Sequence, residues 1–240
     1  MARRVYGLER GGEGAAVAGG NATAATLAER VYYELRRHIR DGALVPGEAL
    51  RLAVLRDRFG VGFTPLREAM MRLVTERFIQ LSGQKGFRVA PATLDDFEDL
   101  IETRRRLEML VIPEAVAHGD VQWEASVLAA FHTLSRRPLL SEGSGLLDPA
   151  WSAAHERFHR ALVEAVPSVR MKWLWLWLFE HSERYRALLV RSGRELGDDR
   201  AAHEDILHGV LARDAGAVLV ACDRHDAVFR AHVRAHFGAS

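Results

Sequence analysis

Residues 42–89 read GALVPGEALRLAVLRDRFGVGFTPLREAMMRLVTERFIQLSGQKGFRV, and no other stretch of the chain limits the fold so tightly. Pro46-Gly47 marks a turn. Leu50, Leu52, Leu55 and Phe59 make a short apolar helix that stops at Gly60. Thr64 then opens a second helix with Pro65 at its first position, where a missing N–H costs nothing. That helix turns Leu66, Ala69, Met70 and Leu73 inward and leaves Arg67, Glu68 and Arg72 elsewhere. Residues 78–81 and 87–89 bracket SGQKG, a hairpin with glycine at its tip. Two short helices around a glycine turn, followed by a hairpin, have the layout of a winged helix-turn-helix, whose second helix enters the major groove of DNA.

Charge is divided along the chain in the sense this reading requires. The whole carries a net charge of only +1, but residues 26–91 hold 12 Lys and Arg against 7 Asp and Glu, while residues 92–240 are net −5. A basic module followed by an acidic one is expected when one domain alone meets phosphate. The longest apolar run, residues 173–179, is far short of the roughly 18 residues that a membrane span needs. Cys222 is the sole cysteine, so no internal disulfide forms, and a reducing cytoplasm is the expected location.

Residues 1–25, rich in Gly and Ala with no sustained period, read as a flexible tail without a signal-peptide core. Leu27, Val31, Leu35 and Ile39 repeat every four residues and give a helix ending near Asp41-Gly42. The DNA-binding unit is expected over residues 26–90, and Ala90-Pro91-Ala92 forms a linker. Residues 93–237 read as an all-helical domain. Thr93 with Asp96 resembles a capping box that opens a helix through Phe97, Leu100, Ile101, Arg104, Leu107 and Glu108, kinked at Pro113 and ended by Gly119. Further helices are expected over residues 123–134, 149–166, 168–191, 198–212 and 214–237. The run WLWLWLF at residues 173–179 fits a buried strand or a buried helix by period, and strong helix formers on both sides favour helix.

At this point the chain resembles a known family. The TPLREAM run and the QKGFRV wing are similar to the DNA-binding domain of GntR transcriptional regulators, and the second half is similar to the helical FCD effector domain of the FadR subfamily. The second resemblance rests on TRRRLE at residues 103–108, on HERFHRAL at 155–162, and on the spacing of His203, Asp214 and His225. It implies a mostly α protein, with an N-terminal winged helix-turn-helix and a C-terminal antiparallel helical bundle that dimerises and senses a small molecule.

The resemblance places Arg67 on the recognition helix, where a guanidinium forks to guanine O6 and N7. Thr64 caps that helix and offers its hydroxyl to a phosphate, Arg72 lies further along it, and Lys85 and Gly86 at the wing tip approach the minor groove. Two positions depart from the family pattern. Gly62-Phe63 stands where Ser-Arg is usual, which leaves Phe63 to contact a thymine methyl, to read an atypical operator or to weaken binding. Arg77 stands where Gly is usual.

His155 and His159 lie four apart, on one face of a helix, a spacing suited to one metal ion. The resemblance adds His203 and His225, with His155 replacing the family's Asp. Four imidazoles favour Zn²⁺ or Ni²⁺ over Mg²⁺. Arg104 matches the family's carboxylate-holding arginine, although Arg105 and Arg106 crowd the same stretch and a basic helix face paired with acids reads equally well. The same run spells H-E-R-F-H, the metalloprotease pattern with Glu156 as the base, so an enzyme is the rival class. The reading is a non-enzymatic regulator, a repressor by analogy, binding a near-palindromic duplex as a homodimer. Its effector is a small carboxylate held through a divalent metal. The alternative is a metal-responsive regulator with the ion as signal.

Overall fold

The computed structural model describes residues 26–83, 86–193 and 200–238. The expected tail at residues 1–25 therefore lies outside the described residues, as does Lys85. The chain divides into two compact units between Pro91 and Ala92.

The first unit opens with α1 (Leu27–Arg40), whose N-terminus is fixed by a reciprocal bond pair: Glu29 N–H donates to Thr26 Oγ1 and Thr26 N–H donates to Glu29 Oε2. Val31, Leu35 and Ile39 are buried as their spacing requires, whereas Leu27 is exposed. Glu48 N–H donates to Val45 carbonyl across Pro46-Gly47, and Gly47 takes φ 79°, so this is a type II turn that needs glycine. Leu50 does not join the next helix as expected. It lies in a two-residue strand, β1 (Ala49–Leu50), because the chain leaving the turn meets the wing. Helix α2 (Leu52–Phe59) ends at Gly60 in the left-handed conformation, and α3 (Phe63–Thr75) follows across a short turn. Strands β2 (Ile79–Leu81) and β3 (Phe87–Val89) pair antiparallel, and β1 pairs with the other edge of β3. The wing is thus a three-stranded sheet, order β1-β3-β2, rather than a bare hairpin. Val31, Leu35, Leu55, Leu66, Met70, Phe78 and Val89 make one core beneath it.

The second unit contains α4 (Leu94–His118), α5 (Val121–Leu134), α6 (Pro149–Val163), α7 (Val169–Arg191), α8 (Arg200–Leu211) and α9 (Ala215–Gly238). Side-chain oxygens of Thr93, Asp120, Asp148, Ser168 and Asp214 accept first-turn amides of five of these helices. Helix α4 runs through Pro113 as one element, and α6 ends at Val163, three residues before the expected stop. Asp198 lies outside the described residues. Within WLWLWLF, Trp175, Leu178 and Phe179 are buried while Trp173 and Leu174 are exposed, a helical rather than alternating pattern. Helices α4 and α7 run antiparallel, since Arg104 meets Ser182 while Glu108 meets Trp175. The bundle buries two apolar clusters, one around Val127, Phe158 and Phe179 and one around Phe97, Tyr185 and Phe229.

Candidate functional site

Two sets of side chains carry chemistry, one in each unit. In the first, the apolar stripe of α3 faces the core, which turns Phe63, Thr64, Arg67, Glu68 and Met71 outward. Thr64 does not cap this helix. Gly62 occupies the cap position with no side-chain acceptor, and Thr64 and Pro65 lie inside the first turn, where amides have no helical partner in any case. The Thr64 hydroxyl is exposed beside those amides. Arg67 projects one turn further on and is also exposed. Arg72 is different: its guanidinium lies over the Tyr32 ring at 4.0 Å, and Tyr32 donates its hydroxyl proton to Glu76 at 2.7 Å. That charge is held against the domain's own surface. Gly86 has φ 101° and its carbonyl accepts Ser82 N–H at 2.8 Å, which closes the wing turn.

In the second unit, α6 contributes His155 and His159, α8 contributes His203 and α9 contributes His225. All four are buried, and one ring nitrogen from each lies within 4.8 Å of the others. His159 Nε2 is 3.1 Å from His155 Nε2 and 3.2 Å from His203 Nε2. A neutral imidazole nitrogen carries either one proton or one lone pair, so His159 Nε2 makes at most one hydrogen bond to these two neighbours. A tetrahedral ion held by nitrogens at about 2.0–2.1 Å spaces them about 3.3 Å apart, and both contacts are close to that.

The outer nitrogens are held as metal ligands usually are. His155 Nδ1 faces Glu183 Oε2 at 3.1 Å, and His225 Nδ1 faces Asp226 Oδ1 at 3.5 Å. Trp151 stacks on the His155 ring with centroids 4.5 Å apart, which fixes its plane. Burial lowers the pKa of His155, a shift that Glu183 partly offsets. Burial and the three other imidazoles put His159 well below the ordinary histidine range. Neutral imidazoles are what a metal requires. The donor set therefore fits a divalent ion.

Arg104 faces the same interior. Burial opposes its charge, but Asp226 and Glu108 more than compensate and raise its pKa. It bonds Asp226, lies 3.4 Å from Glu108 and donates to Ser182 Oγ at 2.7 Å. Burial would raise Asp226, yet Arg104 and His225 hold its carboxyl well below the usual range. Glu183 is likewise held low by His155 and Arg186 against its burial. Glu108, which accepts Trp175 Nε1–H at 3.1 Å, is pushed by burial up to about 7. Arg105 and Arg106 instead turn outward to Glu102. The cavity bounded by Arg104, Glu108, His155, His159, His225 and Asp226 measures about 10 Å³, room for roughly one water or one ion.

Sequence reasoning missed Glu108, Glu183, Arg186 and Asp226 as parts of this site. Glu108 had a signal: it follows Phe97, Ile101 and Arg104 on the buried stripe of α4, where an unpaired charge does not belong. Glu156 of the HExxH pattern is absent from the lining residues and accepts from Arg160 at 2.8 Å. The two histidines of that pattern are joined by His203 and His225.

Comparison with known proteins agrees with this division. Residues 27–89 match the family described as "Bacterial regulatory proteins, gntR family", and residues 99–227 match the FCD domain. The HTH-type transcriptional repressor GlaR of Escherichia coli (strain K12) is 35% identical over 187 residues, covering 76% of this chain and 84% of that protein. The HTH-type transcriptional regulator BphR of Paraburkholderia xenovorans (strain LB400) is 35% identical over 195 residues, 79% of this chain and 78% of its own. Among solved structures, Escherichia coli McbR aligns with a TM-score of 0.75 at 19% identity, covering 89% of this chain and 99% of McbR. A GntR regulator from Rhodococcus sp. RHA1 aligns with a TM-score of 0.70 at 21% identity, covering 86% and 96%. At these identities the two structures speak to the fold alone.

Proposed function

The chain belongs to the GntR family of bacterial regulatory proteins and carries an FCD domain, and from that premise we propose that it is a cytoplasmic repressor that releases its operator when the helical unit takes up a small organic acid at a divalent metal. It is a DNA-binding transcriptional regulator, not an enzyme. No helix among the described residues is long and apolar enough to cross a membrane. The relative GlaR is named a repressor, which favours repression here. A homodimer presents two α3 helices to the two halves of a near-palindromic duplex, with Phe63, Thr64 and Arg67 at the groove and Lys85 and Gly86 at the wing tip.

The observation that carries the sensing half is the convergence of four buried imidazoles beside a buried arginine. His155, His159, His203 and His225 hold the ion, with zinc or nickel favoured by nitrogen-only ligation. When bound, the ion supplies an electrophilic coordination site for a carboxylate oxygen. Arg104 supplies a fork for the same carboxylate, but Asp226 and Glu108 already engage it. An entering acid therefore takes the place of an internal carboxylate rather than filling an empty clamp. The exchange shifts α4 against α9, which carry the two partners, and to control occupancy the acid must bind the released conformation more tightly than the DNA-bound one.

A second reading makes the ion itself the signal, and the small volume of the cavity favours it. Fluorescence anisotropy on a duplex enriched by the full-length protein from a random-sequence library separates the two. If the effector is an acid, chelation alone leaves affinity for the duplex nearly unchanged, and one member of an organic-acid panel weakens it only in the metal-loaded protein. If the ion is the signal, chelation alone changes affinity. Failure to enrich any duplex at low salt would sink both.

A further inference from the structure

Phe63, in the first turn of α3, is an exposed aromatic with a charged companion. Arg56, in the last turn of α2, places its guanidinium carbon 5.0 Å from the centre of the Phe63 ring. Asp57 fixes the guanidinium edge: Arg56 Nε–H and Nη2–H donate to Asp57 Oδ1 at 2.8 and 2.5 Å. A guanidinium has five N–H donors, of which these contacts use two. Among the described residues, no hydrogen bond occupies the Nη1 donors or the second Nη2 donor, and the Arg56 side chain is 42% exposed. One face of the cation is therefore covered by a ring, one edge is pinned by a carboxylate, and the end-on fork is open.

The placement of that fork matters. Phe63 and Arg67 are four apart on α3 and share a helix face. Arg56, Phe63 and Arg67 thus line one strip that joins the end of α2 to the outward face of α3. A solvent-facing phenylalanine is a poor choice for the start of a helix unless its ring has work to do. Bracing a neighbouring cation is such work, because an arginine loses less freedom on binding when it is already oriented.

Resting on the assignment of α3 as the DNA-reading helix, we propose that Arg56 and Phe63 act as one DNA-reading unit. The ring and Asp57 orient the guanidinium so that its end-on N–H pair grips a pair of acceptors on the duplex. Those acceptors are either guanine O6 and N7 or two phosphate oxygens, chemistries that the same fork satisfies.

The test uses full-length protein and the enriched duplex, read by anisotropy at several salt concentrations, with thermal melts to verify that each variant folds. Arg56→Ala is expected to weaken binding by about tenfold or more. Phe63→Ala, which leaves the charge in place, should lose a comparable factor. The double variant should bind no worse than about the weaker single, because both changes remove one unit. Arg56→Lys, lacking the planar fork, should not restore affinity. If guanine is the target, the Arg56→Ala loss disappears on duplexes substituted at one base pair. If phosphate is the target, the loss is uniform across sequences and the salt slope falls by about one. The proposal is overturned if Arg56→Ala binds within about twofold of the parent, or if the two single losses multiply in the double variant. Arg67→Ala serves as the reference: loss there with a silent Arg56→Ala removes this inference alone. Silence in both removes the assignment of α3 itself.

Discussion

Arg77 and Arg213 occupy the same backbone position at the ends of two helices and illustrate opposite trade-offs. Both have left-handed φ, 62° and 56°. Each closes a helix through the same bond pair: Phe78 N–H to Leu73 carbonyl with Arg77 N–H to Val74, and Asp214 N–H to Gly209 with Arg213 N–H to Val210. A side chain in this conformation costs about 1–2 kcal/mol relative to glycine. Arg77 is exposed, so Arg77→Gly should stabilise the first unit by up to about 1 kcal/mol, measured as a shift in urea midpoint. Arg213 recovers the cost by donating to the carbonyls of Val116 and Gly119 and pairing with Glu124, so Arg213→Gly should destabilise in the same assay. The unusual arginine at 77 was visible in the sequence only against the family pattern, whereas the compensation at 213 joins residues about ninety positions apart and had no local sign.

His38 gives the pH dependence at this scale. Burial, together with Arg37 and Arg58, lowers its pKa from 6.5 to about 4. The folded state thus binds fewer protons than the unfolded state between these values. Stability from this group is complete above about pH 6.5 and falls as pH drops towards 4. Discounted for solvent screening of the charged form, the loss is on the order of 2 kcal/mol. His38→Leu should flatten the slope of unfolding free energy against pH in that window. An unchanged slope would refute the assignment.

At the scale of elements, helices α8 and α9 pack closely at their corner. A Cβ at Gly209 would lie 2.9 Å from both the backbone nitrogen and Cγ2 of Val218. Gly209→Ala is therefore expected to cost about 1–3 kcal/mol through overpacking, despite alanine's better helix propensity, and a thermal melt gives the sign directly. The close approach also sets how near His203, on α8, comes to His225, on α9. Element identity was largely legible. Period and capping residues located the helices, and turn chemistry located the wing. Errors fell at boundaries, where tertiary pairing overrides pattern: Leu50 continues an apolar spacing into α2 but pairs with Phe87 instead. Thr64 has the chemistry of a cap, yet Gly62 already provides the extended backbone the cap position needs.

For the molecule as a whole, the imidazole cluster links three helices, so an ion bound there contributes to folding. Extensive chelation should lower the melting temperature of the helical unit by several degrees, about 2–4 °C per kcal/mol for a domain of this size. Zinc or nickel should restore it and magnesium should not. Metal analysis of the protein as purified, with His159→Ala as control, checks the occupant. A melt indifferent to chelator and added zinc would rule out a resident ion. The charge division, +5 in residues 26–91 against −5 beyond, further predicts that a duplex recruits the first unit with steep salt dependence.

Local chemistry, readable from residue order alone, determined the helix-turn-helix, the wing, the helical second half and the pairing of His155 with His159, because turns, caps and the 3.6-residue period act over a few neighbours. Packing decided the rest. Whether His203 and His225 join that pair depends on how α8 and α9 lie against α6, which resemblance suggested but spacing along the chain does not encode. The phase of α4 selects Arg104 over Arg105 and Arg106 for the interior, and only the folded bundle brings Asp226 from over a hundred residues away to meet it.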